Sequence, residues 1–464
     1  MLMNNPAARI FRQYDIRGIV GEDLDTDVAR GVGRAFASMA RADGIPAPRV
    51  VVGWDNRPSS PALAEALMDG LRSSGADVLA IGTVPTPMVW WAEKSLTDAG
   101  GVDGAIQVTG SHNPPEWNGI KMSMGSSVYG ERIQEIRRRI DESDYLDGAG
   151  EASTRDVYDA YVDDVVGRFD LPRPVKVVVD CGNGSGALVA VRMLEELGAE
   201  VVPLYCESDG TFPNHHPDPT VDDNLVDMIA KVRETGAELG VAFDGDADRI
   251  GAVDEHGRVV RGDLILLLFG LDLLERRGPG QKLVFDVKCS QVLPEVYEAA
   301  GGEPIMWKTG HSLMKQKMKE EDAPLAGELS GHICVGGEDY LGFDDALYDA
   351  CHLIDLLARS DRPLSERVAA FPQYLSTPEL RIEVPEEDKF AIVEKALAHF
   401  RARHDVIDVD GVRILFGDGW GLLRASNTQP VLVARYEART AERRDAIRRD
   451  VEAWLAEQGV EAGA

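Results

Sequence analysis

The sequence predicts an α/β protein: three related α/β domains whose mainly parallel mixed sheets surround a cleft, followed by a smaller C-terminal α+β domain. Three observations predict it. A chain of 464 residues is too long for one ordinary core and suggests about three or four domains. A unit of strand, loop, helix and strand recurs three times before about residue 340, the mark of an internal repeat. Beyond about residue 370 that pattern stops and a different one begins. The expected domains are residues 1–156, 157–258, 259–370 and 371–464.

Taken in order, the first copy of the repeat runs from Arg49 to Gly82, the second from Val175 to Tyr205 and the third from Lys282 to Trp307. Each opens with an apolar, largely β-branched run closing on an aspartate (Asp55, Asp180, Asp286). It then continues into an amphipathic helix and turns at a glycine (Gly75, Gly198, Gly301) into another apolar run. That is a βαβ unit, which implies parallel strands and a right-handed crossover. After each unit comes one more strand and a distinctive loop: Ala105 to Val108 before Ser111, Glu238 to Phe243 before DGDADR, and a strand centred on Leu325 before GELSGH. Open α/β sheets build their sites at such strand ends, and side-by-side packing of the domains would bring the three loops to one cleft. In the last domain FPQYLSTPELRIEV reads as connector and strand, Lys389 to Arg403 as a helix, GVRILF and PVLVARYEA as two strands, and Ala441 to Gln458 as a C-terminal helix. RASNTQP is placed in the loop before Val431.

Composition narrows the function classes. The chain is 44% hydrophobic and 28% charged, as a globular protein is, and no run of 18 apolar residues appears; the greasiest stretch, Leu264 to Leu274, is broken by Gly270 and Asp272. The opening MLMNNPAARIF lacks a basic region before an apolar core, so no secretory signal is expected. Five cysteines, odd in number and without CxxC spacing, argue against a disulfide framework or a zinc site and fit a reducing cytoplasm. A net charge of −30 repels nucleic acid and anionic lipid, so neither nucleic acid nor membrane is an expected partner. An anionic substrate then needs a locally basic pocket.

The stretch AIQVTGSHNPPEWNGIKM, Ala105 to Met122, carries the first candidate chemistry. Asn113, Pro114 and Pro115 forbid both continuation of the strand and an immediate helix, which leaves Ser111 on a tight loop. The same composition also suits a plain polar turn. Gly110 is expected to let the backbone approach a ligand, and Lys121 to supply a charge for an anion. Thr109 and Asn113 stand where a nucleophile elbow needs glycines. His112, adjacent in an extended segment, is expected to point away from Ser111 and to be poorly placed as its base. A serine with a nearby lysine and no triad suits phosphoryl transfer, in which catalysis is mostly positioning and charge neutralisation.

Asp244, Asp246 and Asp248 alternate, and such a loop aims three hard oxygen ligands at one cation, as magnesium prefers. An EF-hand fails because Arg249 stands where its turn needs glycine and because ELGVAF before it is strand-like. Gly182, Gly184 and Ala187 spell GxGxxA, so an NAD-dependent oxidoreductase is a rival reading. It lacks an acidic residue at a clean strand end about 20 residues on, and the repeat already accounts for a glycine-rich turn. A sugar-phosphate sensor that binds without turnover is a third class.

TGSHNP followed by NGIK, then DGDADR, GELSGH and RASNTQP in that order across almost the whole chain, resemble the phosphoserine, metal, sugar and phosphate loops of the α-D-phosphohexomutases, the family of phosphomannomutases and phosphoglucomutases. The resemblance implies reversible phosphoryl transfer between C1 and C6 of a hexose through phosphorylated Ser111 and a hexose 1,6-bisphosphate, which also serves as activator. It implies Mg²⁺ on Ser111, Asp244, Asp246 and Asp248, with Arg249 contacting phosphate and sugar. Glu328 and Ser330 are implied to bind sugar hydroxyls, and Arg424, Ser426, Asn427 and Thr428 to hold the phosphate that is not transferred. Tyr14, Arg17, Lys288, Lys308 and His311 match further family contacts. Lys121 and His332 are the candidates for general acid and base, with Arg17 steadying the serine oxygen. Cys334 to Gly337 depart from the family pattern, in which aromatic or bulky residues are usual. The expected partners are hexose phosphates, the expected state a monomer or weak homo-oligomer, and the expected location the cytoplasm.

Overall fold

A computed structural model describes residues 6–96, 101–426 and 429–461. The backbone forms two compact units, Met1–Phe269 with Ser330–Arg367, and Gly270–Leu329 with Val368–Ala464.

In the first unit the expected βαβ repeats are present. Copy one is the strand Arg49–Trp54, the helix Ser60–Ser73 and the strand Asp77–Thr83; copy two is Lys176–Asp180, the helix Ala190–Leu197 and Glu200–Leu204. In each the two strands pair in parallel, and the strand that follows, Gly104–Val108 or Leu239–Phe243, adds in parallel on the other side. Their central residues are buried on both faces (Val50, Val51, Val52; Val177, Val178, Val179), which is why these strands read as continuous apolar runs. The connecting turns use left-handed Gly75 and Gly198, at φ 84° and 99°. Antiparallel additions make both sheets mixed. Trp117–Ser123 pairs with Gly104–Val108 and carries Ile16–Ile19 on its outer side, while Ile250–Asp254 pairs with Leu239–Phe243. In the same unit Ile333–Val335 and Phe343–Asp344 form an antiparallel pair leading into the buried helix Ala346–Ala358.

In the second unit Lys282–Asp286 lies between two parallel partners, Glu303–Trp307 and Leu325–Gly327, as the third repeat requires. The C-terminal sheet is antiparallel and packs beside the helices Lys389–Arg401 and Ala441–Glu457. It holds a strand absent from the sequence reading, Gly419–Ala425, between Val412–Leu415 and Val431–Ala438. Its glycines, which weaken a strand pattern, have a packing reason. A Cβ at Gly419 would lie 2.8 Å from the Ile447 side chain, and one at Gly421 3.3 Å from it, so they let the C-terminal helix lie close on the sheet. Arg424 therefore sits on a strand, not in the loop where RASNTQP was placed. No helix among the described residues is long and apolar enough to cross a membrane.

Candidate active site

The loop around Ser111 is shaped by a buried ion pair. Asp55 accepts hydrogen bonds from Gly110 N at 3.0 Å and Thr109 Oγ1 at 2.8 Å, and pairs with Arg57 at 3.1 Å. Arg57, 1% exposed, donates through Nη2 to the carbonyls of Ser111 and Asn113, both at 2.7 Å, and through Nη1 to those of Pro114 at 2.6 Å and Trp117 at 3.1 Å. Four carbonyls gathered on one guanidinium curl the chain, and Ser111 takes φ 50°, a left-handed conformation costly for a residue with a Cβ. Such strain persists only where the surroundings over-determine it, as five donors in a fixed fork do here.

That curl corrects two expectations. The space beside Gly110 is filled by Arg57, whose Nε would lie 2.5 Å from a Cβ there, so the glycine admits the guanidinium and not a ligand. His112 does not point away: because the segment turns instead of extending, its Nδ1 lies 3.1 Å from Ser111 Oγ. Burial, reinforced by Arg249, Arg17 and Lys121, pushes the His112 pKa well below its usual value and keeps the ring neutral.

Ser111 Oγ also donates to Asp244 Oδ2 at 2.9 Å. Asp244 follows directly on the strand Leu239–Phe243, so the acidic loop begins at a strand's C-terminal end as the sequence suggested. Asp244, Asp246 and Asp248 are at most 1% exposed and present carboxylate oxygens within 4.8 Å of one another, an arrangement that can hold a metal ion. Asp246 Oδ1 and Asp248 Oδ1 are buried without a hydrogen bond, which is costly unless a cation answers them. Thr86 Oγ1 donates to Asp246 Oδ2 at 2.5 Å. Burial and the charges of Asp246 and Asp248 push the Asp244 carboxyl well up; Asp246 is held low, because Lys121, Thr86 and Asp244 outweigh its burial.

Lys121 rises from the strand Trp117–Ser123, with Nζ 2.7 Å from Asp246 Oδ2 and 2.5 Å from Asp248 Oδ2. Burial pulls its ammonium toward neutrality, but Asp246, Asp248 and Asp244 prevail and raise its pKa. Arg17 pairs with Asp15 at 2.7 Å and lies on the neighbouring strand opposite Gly119, two residues from Lys121 and hence on the same sheet face. Its charge too is held against burial, by Asp15, Asp246 and Asp248. Arg249 Nε donates to His332 Nε2 at 2.9 Å. That contact assigns the His332 proton to Nδ1, which lies 3.1 Å from Asp344 Oδ2 and 3.6 Å from Asp248 Oδ1. Cys334, the start of the segment that departs from the family pattern, pairs in register with Asp344 and so helps to place that carboxylate. Tyr14 and Ser330 are half-buried nearby in sequence, beside Asp15 and before His332.

A second group gathers within the other unit. Asp286 accepts from Leu329 N at 3.1 Å and Thr309 Oγ1 at 2.9 Å, and Glu328 Oε1 accepts from Gly310 N at 2.5 Å. The loop around Glu328 is thereby tied to the Lys308–His311 turn, where His311 opens the helix His311–Glu321. Lys288 Nζ donates to Glu379 Oε2 at 3.0 Å; burial lowers its pKa, but Glu379 and Asp286 outweigh this and raise it. Arg424 Nε donates to Asp410 Oδ2 at 2.9 Å, and the same oxygen accepts from Thr309 N at 3.1 Å. Ser426 Oγ accepts from Gln429 N at 3.2 Å. Lys308 is exposed, and the expected contacts Asn427 and Thr428 lie outside the described residues.

Sequence reasoning missed Asp55 and Arg57, Thr86, Glu379, Asp410 and Asp344. One signal was available: each repeat closes its first strand on an aspartate, and each of the three accepts a hydrogen bond from a loop backbone N–H, two from a distant loop and Asp180 from its own turn. Asp55 takes Gly110 N, Asp180 takes Gly182 N at 2.9 Å, and Asp286 takes Leu329 N. The glycine-rich GxGxxA turn has no room for a dinucleotide. A Cβ at Gly184 would lie 2.7 Å from Gly245 O, and Ser185 N donates to that oxygen at 2.9 Å. The face that would cradle a pyrophosphate is packed against the acidic loop.

Models of the phosphoglucomutase/phosphomannomutase alpha/beta/alpha domains I, II and III match residues 8–147, 159–257 and 261–374, and that of the C-terminal domain matches residues 379–453. The chain is 45% identical over 443 residues to a phosphomannomutase/phosphoglucomutase of Pseudomonas aeruginosa, covering 95% of this chain and 94% of that relative. It is 45% identical over 437 residues to a phosphoglucomutase of Neisseria gonorrhoeae, covering 93% of each. A crystal structure of a phosphoglucomutase/phosphomannomutase family protein from Burkholderia thailandensis superposes with a TM-score of 0.93 at 44% identity, covering 99% of both chains. With models of all four family domains matching in order along the chain and relatives 45% identical over most of it, the chain belongs to the phosphoglucomutase/phosphomannomutase family of enzymes.

Proposed function

We propose that this enzyme interconverts the 1- and 6-phosphates of glucose and mannose, with Ser111 as phosphoryl carrier and a hexose 1,6-bisphosphate as intermediate. One observation carries the reading. Ser111 Oγ, strained at φ 50°, is aimed at Asp244 in a buried nest of three carboxylates ringed by Lys121, Arg17 and Arg249. Phosphoryl transfer asks for this: an oxygen held in one place and fixed charge around the group that moves.

The roles follow from chemistry and placement. Phosphorylated Ser111 gives its group to the sugar phosphate, the bisphosphate turns end for end, and its other phosphate returns to the serine. Asp244, Asp246 and Asp248, with Ser111 Oγ, would hold a divalent cation, magnesium by hardness; such an ion supplies neutralisation of charge on the transferring phosphate. Arg17 steadies the serine oxygen and Arg249 the phosphate. Lys121, kept charged by its carboxylates, enters as the general acid, and His332, whose Nε2 carries a lone pair, as the general base. Arg424 and Ser426, with Asn427 and Thr428, grip the phosphate that stays, and Tyr14, Lys288, Lys308 and His311 complete the phosphate and sugar contacts. Glu328 and Ser330 bind hydroxyls at C3 and C4, which glucose and mannose share.

Because the bisphosphate must bind in two orientations, a tight collar at C2 is disfavoured. Glucose 1-phosphate and mannose 1-phosphate are therefore expected to be used with kcat/KM values within about 30-fold, under roughly 2 kcal/mol of discrimination. Glucosamine 1-phosphate is expected to be poor, since relatives specialised for it resemble one another in SASHNP and GEQSGH loops. Side-by-side kinetics test this; a preference above about 10³-fold between glucose and mannose would mean that C2 is read by contacts other than those of Glu328 and Ser330.

A further inference from the structure

The cysteine pattern, scattered in sequence, conceals a pair in space. Cys181 follows the strand Lys176–Asp180 and Cys206 lies just past its parallel neighbour Glu200–Leu204, at the same end of the sheet; Asp180 and Leu204 are register partners. Tyr205 between them takes φ 50°, which folds Cys206 back over the strand ends. There its Sγ lies 3.4 Å from Cys181 Sγ and 3.3 Å from the carbonyls of Val179 and Leu204. Continuing the Asp180–Leu204 register puts Tyr205 opposite Cys181 and Cys206 one residue on; adjacent strands run about 4.8 Å apart, within the Cα separations of about 4.4 to 6.8 Å that disulfides span. Of the five cysteines, Cys206 is partly exposed and the other four are buried. Hydrogen bonding to Cys181 draws the Cys206 thiol down, while the same contact and burial push Cys181 well up.

We propose that Cys181 and Cys206 form an oxidative modification site at which a peroxide converts the two thiols to an intramolecular disulfide, slowing the enzyme reversibly. Cys206 thiolate attacks one peroxide oxygen, the O–O bond breaks, and hydroxide, taking a proton, leaves as water. The resulting sulfenic acid is attacked by Cys181 sulfur, whose proton leaves with the hydroxyl as a second water, so two thiols and one peroxide give one disulfide and two waters.

The link to turnover is a run of direct contacts. Cys181 opens the turn through Gly184 and Ser185 to Gly245 O, and a Cβ at Gly245 would lie 2.3 Å from Ser111 O. Asn183 O in the same turn accepts from Asn56 Nδ2 at 2.7 Å, next to Arg57. Closing the sulfurs from 3.4 Å to about 2.05 Å shortens their separation by more than 1 Å, shared between the two side chains and the turns that carry them, and where positioning is the catalysis a 1 Å misplacement costs about 10²-fold.

The test treats the full-length enzyme with hydrogen peroxide under native conditions and follows peptide mass and mutase activity. The expected result is a Cys181–Cys206 linked peptide, lighter by two hydrogens, and an activity loss of at least about 10-fold that dithiothreitol reverses. Cys206→Ser should keep basal activity and resist the treatment; Cys181→Ser should give a Cys206 sulfenic acid trapped by dimedone, without the link. Absence of the link when Cys206 is oxidised would overturn the site. A complete link with unchanged turnover would overturn its coupling to the Ser111 loop, as would equal inactivation of Cys206→Ser. The peptide readout does not depend on which sugar phosphate is turned over, so its failure is distinguishable from failure of the mutase reading.

Discussion

Arg57 offers the sharpest perturbation of the catalytic loop, because it touches none of the atoms proposed to react and yet fixes where they are. Arg57→Met keeps most of the stem and removes the guanidinium. It leaves Asp55 without its ion-pair partner and four loop carbonyls without their donor. These losses do not add, since one group makes all the contacts; breaking a buried pair from one side costs about 3 to 5 kcal/mol. For a domain of roughly 150 residues, such as the one matched at 8–147, each kcal/mol lowers the melting temperature by roughly 2 to 4 °C, so a fall of about 6 to 20 °C is expected. With the curl at Ser111 relaxed, kcat should drop about 10²-fold while KM for the sugar phosphate changes little, because the loss is one of positioning. Arg57→Lys offers three donors to the same carbonyls and should recover part of both. Scanning calorimetry with steady-state kinetics decides: a melting temperature within about 2 °C of wild type and a kcat within about threefold would refute the view that this guanidinium builds the loop.

Two other perturbations address the acidic triad and the second unit. Chelation should abolish turnover and magnesium restore it, with calcium a poor substitute because it tolerates looser geometry; full activity in excess chelator would show that the three aspartates need no ion. In the second unit Lys288, opposed by burial, holds the Glu379 carboxyl down at about 2. A depressed carboxyl stabilises the fold fully above its ordinary value of 4.5, and that share is lost as pH falls toward 2. Lys288→Met should therefore cost about 2 to 3 kcal/mol at pH 7, and the gap to wild type in urea unfolding should shrink by about 1 kcal/mol near pH 3.5. A gap independent of pH would remove this pair from the account.

Much of this was legible because it is local. The βαβ copies announce themselves through β-branched runs, amphipathic helices and turn glycines within about 35 residues, and the DGDADR loop is readable because the strand before it fixes where its carboxylates begin. What escaped depends on partners far apart in sequence. Arg57 acts on carbonyls 54 to 60 residues away, and without it nothing signals that Ser111 turns left-handed and brings His112 onto its oxygen. Cys181 and Cys206 meet only because parallel register aligns two strand ends. The strand Gly419–Ala425 carries glycines that weaken its pattern, and the helix Ala441–Glu457 that needs them comes later in the chain.

The central claim is that Ser111 carries the phosphoryl group, and it is tested most directly by a single-turnover transfer experiment. Enzyme labelled with radioactive phosphate from glucose 1,6-bisphosphate is freed of sugar, mapped by peptide mass, and mixed with excess unlabelled glucose 1-phosphate. The account predicts label on the peptide containing Ser111, its passage to sugar bisphosphate and then glucose 6-phosphate at a rate no slower than kcat, and no labelling of Ser111→Ala, whose turnover should fall at least about 10³-fold. Label on another residue, or near-normal turnover by Ser111→Ala, would contradict it.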